Sequence, residues 1–227
     1  MFSHLIRKKC QLCSQLSSRL KRFARLFFGG HIDCQGINQR TQNDHRVSEI
    51  NAAAPDCACE KYRMGVDSPG VIGDSEMLAR FVFSPYQVDK NGRLKSSAFS
   101  HVHDKGCSIQ RDTMIENDEV LAFVKRFLES REDHAWKGLL LAECSTVRKI
   151  LINNSSRRAV CVYDTAEKDN PAHGEICQTH HVIDEDDRVE LRHELLAAFG
   201  NAVIVQPAQY RSGQVLNELP LSFQVRK

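Results

Sequence analysis

The chain has 227 residues, of which 41% are apolar and 26% are charged, and its formal net charge is +2. This composition is typical of a folded globular chain, and the small net charge singles out no class of partner. No apolar run reaches the ~18 residues of a membrane-spanning helix, so none is predicted. The nine cysteines form an odd, scattered set, which favours reduced cytosolic thiols over a secreted disulfide framework.

Residues 1–30 predict a basic amphipathic helix. Its apolar side chains recur at intervals of three and four, which places them on one helical face: Leu12, Leu16, Leu20, Phe23 and Phe27. The stretch also contains seven Lys and Arg but no Asp or Glu. Such a helix can dock on an anionic membrane surface or on a protein partner. Two alternatives stay open, namely a targeting segment and a helix packed on its own domain.

Deletion of residues 1–30 tests the docking interpretation. Each Lys or Arg near an anionic bilayer contributes about 1 kcal/mol of attraction. We therefore expect the truncated chain to remain folded and to lose its binding to anionic vesicles or to a partner in cosedimentation. A truncated chain that does not fold would show that the helix belongs to the core.

Residues 31–70 are polar and lack a periodic apolar pattern, so they predict a poorly ordered linker. A C-x-x-C pair precedes this segment, a C-x-C pair lies in it, and two histidines could add ligands: Cys10, Cys13, Cys57, Cys59, His31 and His45. The two cysteine pairs are too far apart for a zinc-finger spacing. The sequence therefore predicts free thiols and no bound metal.

Residues 71–227 predict a globular α+β domain with a small mixed sheet and packed helices. Predicted strands cover Met77–Phe83, Leu94–Phe99, Trp136–Ala142, Ala159–Tyr163 and Ala202–Val205. Predicted helices run from Asn117 or Asp118 to Leu128, from Ser145 or Thr146 to Ile152, and from Asp184 to Phe199. The last has acidic residues in its first turn, where they complement the helix dipole, and Gly200 after its end.

Two polar segments, Asp89–Arg111 and Asn170–Glu175, lie between these core-forming runs and are the candidate site. A His-x-His at His101 and His103 could bind metal with His173 or with the His180–His181 pair. Histidines in a polar loop are more often solvated, so we expect no metal here either. The sequence contains no G-x-S-x-G elbow and no glycine-rich phosphate loop.

Chemistry on a nucleotide could use Arg80, Ser97 and Glu175, with His173 as a further base. Arg80 would bind phosphate, Ser97 would orient a ribose, and Glu175 would stabilise a cation or accept a proton. This order resembles the Arg–Ser–Glu arrangement of one class of ADP-ribosyltransferases. Its usual Ser-Thr-Ser and Glu-x-Glu contexts are replaced here by Ser-Ser-Ala and His-Gly-Glu.

A broader resemblance covers residues 76–180. Four stretches carry it: Leu78–Pro85, Gly92–Phe99, Cys107–Arg111 and Asn170–Ile176. They resemble segments of a family of uncharacterised bacterial proteins with GRxxSSAF-like and NPAHxE-like motifs. The resemblance implies a bacterial, cytoplasmic setting and no particular activity or cofactor.

The sequence thus favours a soluble binding or interaction module with a basic docking helix. Its partner would be a protein or an anionic membrane surface. The alternative is an enzyme directed at a nucleotide or nucleic acid, with Arg80, Ser97, His173 and Glu175 as its site. The alternative requires these four side chains to converge in one pocket.

Overall fold

The computed structural model of the protein describes residues 32–115, 117–153 and 156–200. Five strands form one sheet: β1 (Met77–Ser84), β2 (Cys107–Arg111), β3 (Ala135–Glu143), β4 (Val160–Asp164) and β5 (His173–Gln178). The described α-helices are α1 (Cys34–Arg40), α2 (Arg46–Ala53), α3 (Asn117–Leu128), α4 (Cys144–Arg148) and α5 (Glu185–Gly200). Short 3-10 helices cover Ala58–Lys61, Ser96–His103 and Asp112–Met114.

The strands follow the spatial order β3-β1-β2-β5-β4. All four pairings are antiparallel, so the expected α+β class is confirmed and the sheet has no parallel pair among the described strands. The β1–β3 register shifts between Val82 and Phe83. Within residues 32–200, where the chain is described, no helix has the length and apolarity to cross a bilayer.

Helices cover both faces of the sheet. On one face, here the α5 face, Leu78 and Val82 of β1 share a core cluster with Leu195 and Phe199 of α5. On the other, the α3 face, Ala79 clusters with residues that include Val120 of α3. Successive strand residues point to opposite faces. Sequence position along each strand therefore decides which of two separate cores a side chain joins.

A reciprocal cap starts α5. The Asp187 backbone N–H donates to Asp184 Oδ1 at 2.9 Å, and the Ile183 N–H donates to Asp187 Oδ2 at 2.7 Å. The first bond satisfies a backbone donor of the first helical turn, and the second ties the residues before the helix to that turn, in the manner of a capping box. The acidic start and the buried Leu191, Leu195 and Phe199 place this helix where the sequence predicted it.

The interpretation of residues 31–70 as a poorly ordered linker is wrong for the described part of that segment. It contains α1, α2 and a 3-10 helix, and Ile37, Ile50 and Met64 are at most 2% exposed. Helices of seven and eight residues are too short to show a clear apolar period. The segment packs on the sheet through a few long-range contacts that local sequence does not reveal.

The expectation of free thiols is wrong for four cysteines. Disulfides join Cys34 to Cys59 and Cys57 to Cys161. Cys107, Cys144 and Cys177 are free and buried. Because the Cys57 and Cys59 partners lie in other segments, their spacing in the chain does not reveal the pairing. The first bond joins the two ends of residues 34–59, and the second bond links this segment to β4.

Two further differences between prediction and structure concern strands. The predicted Leu94–Phe99 strand is wrong, since a 3-10 helix occupies Ser96–His103. Strand β2 was not predicted. Its Ser108, Gln110 and Arg111 are polar, so the five residues contain too few apolar side chains to indicate a buried strand. The predicted N-terminal helix and the Ala202–Val205 strand lie outside the described residues.

Candidate functional site

Arg80 is fixed inside the fold. Its Nε and Nη2 donate to the Ala98 carbonyl at 2.8 and 2.6 Å, and its Nη1 donates to the Ser108 carbonyl. The Phe99 ring lies 5.6 Å from the guanidinium carbon. The residue is 7% exposed. The cation therefore ties the Ser96–His103 helix to the sheet and presents no open donor fork for a phosphate.

Ser97 also has a local role. Its hydroxyl donates to the Tyr86 carbonyl at 2.6 Å, across the turn that follows β1. No imidazole or carboxylate of the described residues forms a hydrogen bond with this hydroxyl. A serine nucleophile needs such a base, so Ser97 is placed as a turn anchor.

Glu175 and His173 belong to β5 and are both buried. Glu175 Oε2 accepts a hydrogen bond from Arg46 Nε at 2.6 Å. His173 Nδ1 lies 3.0 Å from the Thr165 hydroxyl. Both polar side chains are therefore satisfied by neighbouring segments of the same chain, as buried polar groups usually are.

The register separates the four predicted residues. Ala79 pairs with Gln110, and Gln110 pairs with His173, so these three side chains share the α3 face. Arg80 follows Ala79 and points to the α5 face, whereas Glu175 shares the face of His173. The four residues do not share one face of the sheet, so the register does not support the predicted nucleotide-directed catalytic site. The sequence alone does not show which face of the sheet each of these polar side chains occupies.

Packing accounts for the glycine of the predicted H-G-E segment. A Cβ on Gly174 would lie 2.7 Å from Ile109 Cδ1 and 2.9 Å from the Tyr163 carbonyl oxygen. Such distances are well inside van der Waals contact. The glycine at this position is therefore explained by the close packing of neighbouring strands.

A different part of the surface carries a cleft with a volume of about 600 Å³. It lies between the Ala58–Lys61 helix, the residues that lead into β1, and α4 with its following turn. Its lining residues are Glu60, Lys61, Val71, Ile72, Asp74, Ser145, Arg148, Lys149 and Arg158. None of them belongs to the segments that the sequence singled out.

Ion pairs hold the two arginines of the cleft in place. Arg158 donates through both terminal nitrogens to the Glu60 carboxylate, at 2.7 and 2.8 Å. Arg148 donates to Asp74 Oδ1 at 2.6 Å and to the Ile72 carbonyl at 3.0 Å. The hydrogen bond from Arg148 lowers the pKa of Asp74 below its ordinary value. Both guanidiniums are thereby oriented before any ligand arrives.

Cations outnumber carboxylates in the lining by four to two. Glu60 and Asp74 offset the charge of Arg158 and Arg148. Lys61 and Lys149 are exposed and form no ion pair within the described residues. The cleft therefore carries a net positive charge next to an apolar wall formed by Val71 and Ile72.

A second polar cluster joins Asp56 to His180 and His181. One ligand atom from each residue lies within 4.8 Å of the other two. From the sequence, the histidine pair was a possible metal ligand only together with His101 and His103. Asp56 was missed because it lies in the presumed linker, and only the fold brings it to the end of β5.

No family model, no curated protein and no solved structure matches the chain. The fold defines an α+β protein with an antiparallel five-stranded sheet. Function therefore has to be argued from the cleft and the clustered side chains. The resemblance to bacterial proteins over residues 76–180 stays a prediction.

Proposed function

We propose that the protein is a binding module that takes a phosphate-bearing small molecule in the cleft described above. The observation that carries this proposal is the convergence of Arg148 and Arg158, held by Glu60 and Asp74, beside the exposed Lys61 and Lys149. A volume of about 600 Å³ suits a small molecule, since ligand sites span roughly 300–1,000 Å³.

The lining favours phosphate over a purely apolar ligand. Guanidinium groups bind phosphate oxygens through several parallel donors, and lysine adds charge without demanding geometry. Because both arginines are already ordered, little side-chain entropy is lost when a ligand binds to them. The exposed Val71 offers a surface for an apolar part of the same ligand.

Two earlier expectations remain part of the proposal. The basic stretch of residues 1–30 would bring the module to a protein partner or an anionic membrane surface. A bacterial setting also stays a prediction. The expected cytoplasmic location is not carried into the proposal, because disulfides persist mainly in oxidising compartments and the described residues contain two.

The cleft can be tested by removing its two exposed lysines. We expect Lys61→Gln/Lys149→Gln to weaken the binding of inorganic pyrophosphate about tenfold. Two exposed charge contacts at about 0.7 kcal/mol each give this factor. Isothermal titration calorimetry at low salt measures the change. These exposed lysines have no ion pair within the described residues to lose, so the variant tests binding without disturbing the Glu60 network.

A matched control removes two exposed lysines elsewhere, Lys90 and Lys168. It makes the same change in net charge at the same ionic strength. Unchanged pyrophosphate affinity in this control supports a local site. If Lys90→Gln/Lys168→Gln weakens binding equally, or if the parent chain binds no pyrophosphate, the proposed function is wrong.

A further inference from the structure

We propose that Asp56, His180 and His181 form a site for a divalent transition metal such as Zn²⁺ or Co²⁺. His181 Nε2 lies 3.0 Å from Asp56 Oδ1, and His180 Nε2 lies 3.7 Å from the same oxygen. All three ligand atoms fall within 4.8 Å of one another. Zinc bonds to nitrogen and oxygen are about 2.0–2.2 Å, which puts tetrahedral ligands roughly 3.3–3.6 Å apart.

The donor set selects the class of metal. Two imidazole nitrogens and one carboxylate oxygen suit zinc, cobalt, nickel, copper and iron. Calcium and magnesium prefer sites built from oxygen alone. Three protein ligands also leave one coordination position open to solvent or to a further ligand, because Asp56 and His180 are exposed.

Both sides of the cluster are held by backbone contacts. Thr179 precedes the histidine pair, and its hydroxyl donates to the Arg158 carbonyl at 2.8 Å. Its backbone N–H donates to the Ala159 carbonyl at 2.8 Å. The end of β5 is thus tied to the segment that enters β4, so the two imidazoles start from an ordered backbone.

Asp56 is held from the opposite side. The next residue, Cys57, is disulfide-bonded to Cys161 of β4. Asp56 and Cys57 have φ values of 55° and 58°, the left-handed region that non-glycine residues rarely adopt. This conformation carries a backbone cost that recurs at functional sites. Here it accompanies a carboxylate directed at two imidazoles.

The geometry differs from that of an ordinary surface ion pair. The His180 and His181 rings lie 3.9 Å apart between centroids, and both direct Nε2 at one carboxylate oxygen. His180 Nε2 is too far from this oxygen for a hydrogen bond, whereas a metal between the three groups would accept a lone pair from each imidazole and from the carboxylate. His101 and Asp104 provide the contrast, because they form a pair 3.2 Å apart that no third ligand joins among the described residues.

Titration with Co²⁺ tests this site in the full chain. The parent carries Cys10→Ser and Cys13→Ser, so that the N-terminal C-x-x-C cannot supply thiolates. We expect one equivalent of Co²⁺ and a visible ligand-field absorption that Zn²⁺ displaces.

Asp56→Asn, His180→Ala and His181→Ala should each weaken Co²⁺ binding by more than about a hundredfold. That exceeds the usual effect of losing a group that only supports a ligand. His101→Ala is the matched control and should bind as the parent does. The same variants should lose the rise in Tm that Zn²⁺ gives the parent, while their Tm in EDTA stays at the parent value.

Three results would overturn the inference. They are a parent chain that does not bind Co²⁺, ligand variants that bind as tightly as the parent, and a His101→Ala variant that loses binding equally. None of these results depends on the pyrophosphate measurement, so the metal site and the phosphate-binding cleft are tested independently.

Discussion

Replacing both Cys57 and Cys161 with alanine should lower the free energy of unfolding by about 4–5 kcal/mol. The bond joins residues 104 positions apart, and a cross-link restricts the unfolded chain more when its loop is longer. The Cys34–Cys59 bond spans only 25 positions, so its removal should cost less, about 3.5 kcal/mol. Chemical denaturation of the oxidised chain measures both values.

The control for this experiment is Cys107→Ala/Cys177→Ala. It removes two buried sulfur atoms without breaking a bond, so the difference between the two double variants isolates the cross-link. Reducing agent should destabilise the parent more than Cys57→Ala/Cys161→Ala, which keeps the Cys34–Cys59 bond. Equal losses in the control and in Cys57→Ala/Cys161→Ala would contradict the pairing.

The neighbouring free thiol should not scramble this bond. Cys177 pairs with Cys161 in the β4–β5 register, which brings it next to the disulfide. Burial raises the pKa of Cys177 well above the ordinary thiol value. Exchange requires a thiolate, so the protonated Cys177 is a poor nucleophile.

Replacing Arg46 with methionine should lower the free energy of unfolding by about 3–5 kcal/mol. Arg46 is 2% exposed, and its pairing with Glu175 is buried. Removal of one partner leaves the other as an uncompensated buried charge, which is strongly destabilising. The guanidinium also donates to the Asn38 side chain and to Thr41 Oγ1, so its loss frees further polar groups of α1 and the turn after it.

A second substitution separates the charge from the packing. Arg46→Met/Glu175→Leu removes both charges and should recover part of the lost stability. The control is Arg188→Met, which breaks the exposed pair with Glu185 and should cost at most about 1 kcal/mol. If Arg46→Met costs no more than Arg188→Met in urea denaturation, the pair contributes nothing beyond surface electrostatics.

Sequence patterns predicted the elements that have a long or uniform apolar signal. The stripe of α3, the capped start of α5 and the apolar runs of β1, β3 and β4 all fall close to their predicted places. These signals are local, since each depends on spacing within one element.

The site could not be predicted in the same way. Arg80 and Glu175 carry the chemistry expected of a catalytic pair, but a strand alternates its side chains between two faces. Only the register between strands shows that they point apart. Glu60 and Arg158 of the cleft are 98 positions apart, and neither belongs to a recognisable motif. Their convergence is a product of the fold.

The irregular β1–β3 ladder has a consequence for how separate molecules behave. β3 is an edge of the sheet among the described strands, and free edges can recruit a second chain. Near the register shift, Gly138 has a φ of 132°, its carbonyl already accepts from Trp136 Nε1, and Lys137 adds charge. An incoming strand would meet a bent and charged edge at which one carbonyl is already hydrogen-bonded. The defect in the ladder thus acts against aggregation.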